Sequence, residues 1–155
     1  MGTLTIMILG EKCTRSCRFC DVDTDRPELP KQDEPEEVSE MLSLLNLNYA
    51  VITSVDRDDL SDGGANHWYQ TLINIKQKCP ELKVEALIPD FRGEERYVGR
   101  VCDAHPDIVS HNLETVASLQ NIVRPQCRYE WSLKILEFVR LRLQQFYHIW
   151  HLIFS

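Results

Sequence analysis

The stretch CTRSCRFC, residues 13–20, decides the fold and sets the chemistry that the rest of the chain must support. Its three cysteines, Cys13, Cys17 and Cys20, have the spacing Cx3CxxC and follow an apolar run from Leu4 to Leu9. That order fits a loop that leaves the end of a buried strand. Three thiolates can bind three irons of a [4Fe–4S] cluster and leave the fourth iron without a protein ligand. We therefore predict a cluster with one open iron, and we call residues 13–20 the cysteine loop.

A small molecule with an amine and a carboxylate can chelate the open iron, and S-adenosylmethionine (SAM) is such a molecule. An electron from the cluster can then break its sulfonium C–S bond and release a carbon radical. Zinc is the alternative metal, but structural zinc uses four ligands in two close pairs. The nearest further candidates here, His67 and Cys79, are distant and unpaired. The remaining alternative is three buried or disulfide-bonded cysteines without a metal.

Composition indicates one globular domain in a reducing compartment. The chain has 155 residues, an apolar fraction of 43% and a formal charge of −7. This acidic balance argues against a nucleic-acid partner. Six cysteines, three of them in one motif, indicate bound metal rather than a disulfide framework. The start MGTLTIMILG lacks the basic region and cleavage site of a signal peptide, so we expect a cytoplasmic protein without a membrane partner.

Short apolar runs alternate with helical patterns along the chain, and a polar loop follows each run. This alternation predicts parallel strands joined by helices, an α/β fold. Polar residues after every strand favour a partial (β/α) barrel of about four βα units over a doubly wound sheet. The predicted strands cover residues 4–9, 49–55, 84–88 and 107–110, and the predicted helices cover about 35–47, 65–78 and 95–104, with a short one ending near 123.

Periodicity also predicts which side chains are buried. We expect the first strand to be buried on both faces. The first helix is predicted to bury Val38, Met41, Leu42 and Leu45, and the second Trp68, Leu72 and Ile75. The residues DRDDLSDGGA, 56–65, which we call the carboxylate loop, open on a charge cluster that we expect to be solvated and self-paired: Asp56, Arg57, Asp58 and Asp59.

The chain ends in an apolar segment of different character. We predict a barrel domain over residues 1–138 and a helical C-terminal tail over 139–155. One long helix is predicted to carry in-phase apolar residues Leu133, Leu136, Val139, Leu143, Phe146 and Trp150. Its charged residues argue against a membrane span. His148 and His151 have ligand spacing but no second pair, so we assign them no metal.

Several stretches together resemble the lipoyl synthase family of radical SAM enzymes: MILGEKCTRSCRFC, VITSVDRDDLSDGGA, VEALIPDFRG, HNLETV and VRPQCRYEWSL. The resemblance covers residues 3 to about 137. It implies a radical SAM barrel and a sulfurtransferase that inserts sulfur at C6 and C8 of a protein-bound octanoyl group. A 5′-deoxyadenosyl radical removes the hydrogens in that family, so no catalytic acid–base residues are assigned.

The resemblance also implies residue roles. Cys13, Cys17 and Cys20 would hold the SAM-binding [4Fe–4S] cluster. Gly63 and Gly64 would let the backbone meet the SAM amino group, or would form a plain turn before a helix. Asn112 and Glu114 would contact the SAM ribose or methionyl group, and Arg124 would pair with its carboxylate. For these last three residues a capping or surface role stays open.

The chain departs from the family pattern at both ends. The family carries a second, auxiliary [4Fe–4S] cluster as its sulfur source, and the ligands of that cluster are absent from these residues. The other cysteines, Cys79, Cys102 and Cys127, are expected to be ordinary buried thiols. We expect an incomplete chain whose sheet has an open edge.

The implied partners are an octanoylated lipoyl carrier domain (dehydrogenase E2 or glycine cleavage H protein) and a reductant such as ferredoxin or flavodoxin. The alternative function is an inactive or SAM-cleaving-only cluster-binding remnant.

Overall fold

The computed structural model describes residues 2–146. Its secondary-structure elements in chain order are β1 (Thr3–Ile8), β2 (Lys12–Cys13), β3 (Asp23–Thr24), α1 (Glu34–Leu44), β4 (Tyr49–Ser54), α2 (Ala65–Lys78), β5 (Lys83–Leu87), α3 (Glu95–Cys102), β6 (Ile108–Ser110), α4 (Gln120–Val123) and α5 (Tyr129–Phe146). Two 3-10 turns, Phe91–Gly93 and Ala117–Leu119, precede α3 and α4. All four predicted strands are present, as are the predicted helices within the described residues, whereas the two-residue strands β2 and β3 and the two 3-10 turns were not foreseen.

The main sheet has the order β1-β4-β5-β6, and every neighbouring pair is parallel. A helix lies between each pair of consecutive strands, so the α/β alternation predicted from the sequence is confirmed. Parallel strands end at the same edge of the sheet, which brings the loops after β1, β4, β5 and β6 together. The short strands β2 and β3 pair with each other and bracket the cysteine loop and the residues after it.

One face of the sheet forms the core. Ala50, Ile52, Val84, Ala86 and Val109 are buried there against the helices, whereas the residues between them are only partly covered. Helices α1, α2 and α3 pack side by side in that order. The alternation of buried and partly covered positions is what a sheet covered by helices on one side requires.

The buried face of α2 agrees with its periodicity, and the predicted face of α1 is partly wrong. Trp68, Leu72 and Ile75 are buried as predicted. In α1 the buried residues are Pro35, Val38, Ser39 and Leu42, while Met41 and Leu45 are exposed. The helix ends one residue before Leu45, and small Ser39 lies towards α2, where its carbonyl accepts from the Cys79 thiol. A small residue allows the two helices to approach closely, so it displaces Met41 from the interface.

The prediction that β1 is buried on both faces is wrong. Its residues alternate between exposed and half-buried positions until Ile8. Within the described residues β1 pairs with β4 alone, and β6 pairs with β5 alone, so both are edge strands. An edge strand with helices on one side of its sheet keeps the other side accessible. The open edge expected from the sequence is therefore present in the described part of the chain.

Helix α5 is one continuous element through residues 138 and 139, and its buried face agrees with the predicted one only in part, at Val139. Ser132, Ile135 and Val139 are buried, while Leu133 is 46% exposed. The Ser132 hydroxyl donates to the His111 ring, and this bond fixes the rotation of the helix. The predicted tail beyond Phe146, with His148 and His151, lies outside the described residues, and the boundary at 138/139 remains a prediction. No helix within residues 2–146 is long and apolar enough to span a membrane.

Candidate functional site

The cysteine loop is fastened on both sides at the carboxyl edge of the sheet. On one side, the Thr14 N–H and hydroxyl both donate to the Asp56 carbonyl, at 3.1 and 2.8 Å, and the Asp58 N–H donates to the Thr14 hydroxyl at 3.0 Å. On the other side, Gln126 accepts from the Ser16 N–H at 2.6 Å and donates to the Thr14 carbonyl at 3.3 Å. The loop is therefore held between the carboxylate loop and the VRPQC segment, residues 123–127.

Arg15, between the first two cysteines, links four parts of the chain. Its side chain is 1% exposed and binds both oxygens of Asp58, at 2.7 and 2.8 Å, while Nη1 donates to Asp90 at 2.7 Å. The same Nη1 donates to the Cys127 Sγ at 3.2 Å, and the guanidinium lies over the Trp131 ring at 5.9 Å. One side chain thus joins the loops after β1, β4 and β5 to the start of α5.

The charge cluster of the carboxylate loop is solvated only in part: Asp59 is exposed, whereas Asp56 and Asp58 are half-buried and Arg57 is buried. Arg57 is 2% exposed and donates to the Leu9 carbonyl at 2.9 Å and to the Glu28 carbonyl at 2.8 Å. It also pairs with Asp59, so the expected self-pairing is present. Arginine carries five donors on a long stem, and it can therefore reach carbonyl groups of two other segments while keeping its own carboxylate partner.

The buried acids of this edge differ because Arg15 contacts them differently. Burial would raise the pKa of Asp90, but its hydrogen bond and charge interaction with Arg15 hold that pKa below its usual range. At Asp56 burial prevails over the more distant Arg15 guanidinium and raises the pKa to about 6. Burial alone would lower the pKa of Arg15, but its bonds to Asp58 and Asp90 raise it. Arg15 and Asp90 are therefore a fully charged buried pair at neutral pH.

The three cysteines of the loop are free thiols in unequal surroundings. A hydrogen bond from Cys127, opposed by burial and reinforced by Arg124, lowers the pKa of Cys17 to about 6. The same bond, together with burial, raises the pKa of Cys127. Burial also raises the pKa of Cys13, whereas Cys20 is exposed. Cys17 is thus the loop cysteine that the surrounding donors favour as a thiolate.

Arg124 and Gln120 carry buried polar atoms without a hydrogen-bond partner. Arg124 is 6% exposed, and its Nε and Nη1 have none; Gln120 is 4% exposed, and its Oε1 and Nε2 have none. The nearest carboxylate oxygen to Arg124, on Asp90, is 4.0 Å away. Buried polar groups in proteins are almost always satisfied, so such atoms point to a ligand, an ion or water. Arg124 lies beside Cys17, one of the predicted cluster ligands.

Packing explains why residue 64 is a glycine, whereas the role of the glycine at position 63 is still a prediction. Gly63 and Gly64 both have positive φ, 61° and 86°. A Cβ at Gly64 would come within 2.5 Å of the Leu9 side chain, so this glycine lets the start of α2 pack on the end of β1. Gly63 instead lines a cavity of about 210 Å³, which Arg15 and Phe91 also line. The turn before a helix is present, and the contact with SAM stays a prediction.

Asn112 and Glu114 follow β6 at the same edge but are exposed. The first helical turn after them has Val116 as its N-cap, so the alternative of a helix-capping role is not supported. Glu114 has a φ of 64°, a left-handed conformation that is uncommon for a residue with a side chain. Their contact with SAM stays a prediction.

Their neighbour His111, which sequence reasoning passed over, is integrated into the edge. Its Nδ1 donates to the Ile88 carbonyl at 2.8 Å, so Nε2 accepts from the Ser132 hydroxyl at 2.8 Å. Burial lowers the pKa of His111, which keeps the ring neutral. The ring therefore ties the loop after β5 and the helix α5 to the loop after β6.

Within residues 2–146 no group of three or more His, Cys, Asp or Glu side chains converges on one ion position. The zinc alternative requires such a position, since its ligands meet at a single ion. A [4Fe–4S] cluster places its irons at separate corners, so three thiolates on one loop need not meet at one point. Of the other cysteines, Cys102 and Cys127 are buried as expected and Cys79 is half-buried.

Sequence reasoning missed Arg15, Asp90 and Cys127 as parts of the site. A signal for Arg15 and Asp90 was present: acidic residues follow both β4 and β5, and two arginines, Arg15 and Arg18, stand among the cysteines that follow β1. Parallel topology brings those loops to one edge of the sheet, so their charged side chains were predictable neighbours. No local signal marks Cys127, since its partner lies 110 residues earlier in the chain.

Comparison with known proteins agrees with this geometry. The profile of the radical SAM superfamily matches residues 7–149. The chain is 50% identical over 139 residues to the lipoyl synthase of Flavobacterium johnsoniae, an alignment that covers 90% of this chain and 48% of that protein. It is 49% identical over 139 residues to the mitochondrial lipoyl synthase of Nematostella vectensis, with the same coverage of 90% and 48%. The chain spans about half the length of the curated relatives it matches.

Among solved structures, the chain is similar to the crystal structure of methylornithine synthase. The superposition has a TM-score of 0.67 and covers 90% of this chain and 42% of that one. The sequences are 13% identical, so this likeness concerns the fold alone. It supports the α/β arrangement of a partial barrel described above.

Proposed function

The chain belongs to the radical SAM superfamily, and on that premise we propose that it is the cluster- and SAM-binding part of a lipoyl synthase. The observation that carries the proposal is the cysteine loop, fastened at the carboxyl edge of a parallel sheet. In (β/α) barrels this edge is where substrates and cofactors bind. Identity near 50% to curated lipoyl synthases supports the family within the superfamily.

The donor set of the loop fits a [4Fe–4S] cluster. Cys13, Cys17 and Cys20 are free, and the shortest hydrogen bonds that anchor their loop are made by Thr14 and Ser16. The Cys13 sulfur makes only longer contacts, with the Arg15 N–H at 3.4 Å and the Asp56 carbonyl at 3.8 Å. Thiolates bind iron–sulfur clusters, and the guanidinium of Arg124 beside Cys17 compensates part of their negative charge. When bound, the cluster would supply the electron that breaks the sulfonium C–S bond of SAM.

The same edge offers groups that would bind SAM. Arg124 has two unpartnered nitrogen atoms, and a guanidinium suits a carboxylate such as that of the methionyl group. Gly63 borders a cavity and leaves its backbone accessible to the amino group, and Gly64 orients the same turn. Asn112 and Glu114 are exposed at the end of β6, where they would reach the ribose or the methionyl group. Each residue would bind or orient SAM, and none is assigned a proton transfer.

For a lipoyl synthase of the relatives' length we propose sulfur insertion at C6 and C8 of an octanoyl group. The octanoyl group would be attached to a lipoyl carrier domain, as in dehydrogenase E2 or glycine cleavage H protein. A ferredoxin or flavodoxin would provide electrons, an auxiliary [4Fe–4S] cluster the sulfur, and the cytoplasm is the proposed location. For the 155 residues alone the narrower candidate is SAM cleavage without sulfur insertion, because the cysteines outside the loop form no ligand group in residues 2–146.

The test is anaerobic reconstitution of the 155-residue chain with iron and sulfide. We expect about four irons per chain, since the loop would hold one [4Fe–4S] cluster. With a reductant and SAM, 5′-deoxyadenosine should form. Cys20→Ala is the informative variant, because Cys20 is exposed and its loss removes a ligand without disturbing the core. Cys79→Ala, at a half-buried thiol outside the loop, is the matched control.

Iron retained in Cys20→Ala at the wild-type level would contradict the assigned ligands. Zinc bound as tightly as iron would contradict the cluster. To separate the two candidate activities, an octanoylated carrier domain is incubated with the reconstituted chain and analysed by mass spectrometry. Sulfur at both C6 and C8 would show that these 155 residues suffice, and 5′-deoxyadenosine without sulfur would favour SAM cleavage alone.

A further inference from the structure

Four buried side-chain polar atoms in residues 2–146 have no hydrogen-bond partner, and all four belong to two residues, Gln120 and Arg124. Gln120 is 4% exposed, and both ends of its amide, Oε1 and Nε2, are among the four. The proposed function uses Arg124 but gives Gln120 no role. Buried polar groups in proteins are almost always satisfied, so an amide with two unused ends points to a partner that is not part of the fold.

The backbone places Gln120 and Arg124 one helical turn apart. Gln120 is the first residue of α4, Arg124 caps the C-terminus of that helix, and the Arg124 N–H donates to the Gln120 carbonyl at 2.8 Å. Residues four positions apart on a helical turn lie on the same face. The four atoms are therefore neighbours, and one ligand can reach both side chains.

The segment that carries Arg124 is fastened to the cysteine loop. The Arg18 N–H donates to the Val123 carbonyl at 2.9 Å, and Gln126 accepts from the Ser16 N–H at 2.6 Å. Arg124 Nη2 lies 4.0 Å from the buried Asp90 carboxylate, in the loop after β5. These contacts hold Arg124, and with it the helical turn that begins at Gln120, at the edge of the sheet where SAM is proposed to bind.

We propose that Gln120 is a further SAM-binding residue, which acts with Arg124 on the methionyl end of the molecule. Its Nε2 donates to the carboxylate, and its Oε1 accepts from the amino group on the same carbon atom. This inference rests on the proposed function. An amide offers a donor and an acceptor side by side, as an α-amino carboxylate requires. It also adds a donor to the carboxylate without placing a second buried charge next to Arg124.

The experiment compares the binding of SAM and of decarboxylated SAM, which lacks only the carboxylate, to the anaerobically reconstituted chain. One hydrogen bond to a charged group is worth about tenfold to a hundredfold in affinity. In Gln120→Leu the loss of affinity for SAM should therefore exceed the loss for the decarboxylated analogue by about tenfold or more. Without ligand, Gln120→Leu should unfold at or above the wild-type temperature, because it removes two buried atoms that lack a partner.

Gln70→Leu is the matched control, because Gln70 is exposed in the middle of α2. It should bind both ligands as wild type does. Gln120→Glu is the second variant at the site, and it should stay folded because a glutamate four residues before Arg124 can pair with it. Its negative charge would repel the carboxylate, so it too should lose more affinity for SAM than for the analogue.

Equal losses for the two ligands in Gln120→Leu would overturn the inference, since the amide would then not contact the carboxylate. Unchanged SAM affinity in that variant would overturn it as well and would leave water as the partner of the amide. If Gln120→Leu does not fold, Gln120→Glu decides by the same comparison of the two ligands. A wild-type chain that forms no cluster or binds no SAM would instead refute the proposed function itself.

Discussion

Arg15 and Arg124 are two buried arginines that border the same thiol, Cys127, but only Arg15 has protein partners for its guanidinium. Arg15 has Asp58 and Asp90 as close partners and stacks on Trp131. Arg124 has two nitrogen atoms without a partner, and its nearest carboxylate oxygen is 4.0 Å away. The first guanidinium is satisfied by the fold alone. The second retains unused hydrogen-bonding capacity, which we assign to a ligand.

This contrast separates structural groups from ligand-binding groups within one site. Both arginines are charged, buried and placed by loops at the same edge, so composition and burial do not distinguish them. What distinguishes them is whether the protein supplies their partners. A buried charge that is paired contributes to folding, whereas one left unpaired costs free energy until a ligand binds.

The largest expected effect is a difference in stability between two single variants, Arg15→Met and Arg124→Met. Arg15→Met leaves the buried Asp90 carboxylate without its cation, and breaking such a pair typically costs about 3–5 kcal/mol. Arg124→Met removes a charge with no close carboxylate, so the free energy of unfolding should change by less than about 1 kcal/mol or rise. Urea unfolding of the ligand-free chain, followed by circular dichroism, measures both. Equal losses in the two variants would remove the distinction between the two sites.

The second-largest expected effect is a loss of SAM affinity in Arg124→Met, the variant that we expect to stay folded. Hydrogen bonds to charged groups are worth about 1.5–3 kcal/mol, so Arg124→Met should weaken SAM binding about tenfold to a hundredfold. Equilibrium binding of SAM to the reconstituted chain measures this loss, and the iron content should stay at the wild-type value. The matched control is Arg128→Met, because Arg128 is exposed and follows the same segment. Unchanged affinity in Arg124→Met would show that its free donors serve another ligand.

The glycine pair offers a smaller contrast of the same kind. Gly64→Ala places a Cβ within 2.5 Å of Leu9 and holds alanine at a φ of 86°, a left-handed backbone that costs about 1–2 kcal/mol. Gly63→Ala has a similar backbone cost, but its Cβ would meet Phe91 only at 3.1 Å. We expect Gly64→Ala to lose more stability and Gly63→Ala to lose more SAM affinity, measured by urea unfolding and by binding. The reverse order would refute this division.

The smallest effect is the pH dependence contributed by His111. Burial lowers its pKa in the folded chain, so the stabilisation is present above its unfolded value, about 6.5, and is lost as pH falls below it. The slope for one proton is at most about 1.4 kcal/mol per pH unit. The charged groups that act on the ring are Asp90, Arg124 and Glu114.

The measurement is urea unfolding between pH 8 and pH 5.5 for wild type and His111→Gln. Asp56 and Cys17 titrate in the same window, so only the difference between the two chains reports on His111. We expect stability to fall more steeply with acidification in wild type than in the glutamine variant. Parallel curves would show that the ring is not held neutral by its surroundings.

Local pattern predicted most of the fold, because strands and helices are specified by periodicity and by punctuating residues. The bounds of α2 and the burial of Trp68 follow from such signals. The buried faces of α1 and α5 did not follow from periodicity. Small Ser39 and polar Ser132 lie at contacts where larger apolar residues were predicted. Close approach and one hydrogen bond at those positions depend on neighbours far along the chain.

Local signals in the chain were enough to predict the parallel α/β alternation, the cysteine loop at the end of the first strand and the family to which the motifs point. Those features are encoded by residues close together in the chain, where spacing alone carries the information. The assembled fold is what pairs Arg15 with Asp58 and Asp90 and leaves two nitrogen atoms of Arg124 without a partner. Whether a buried charge finds a partner depends on loops that follow different strands, and the distances between those loops are fixed only when the sheet assembles.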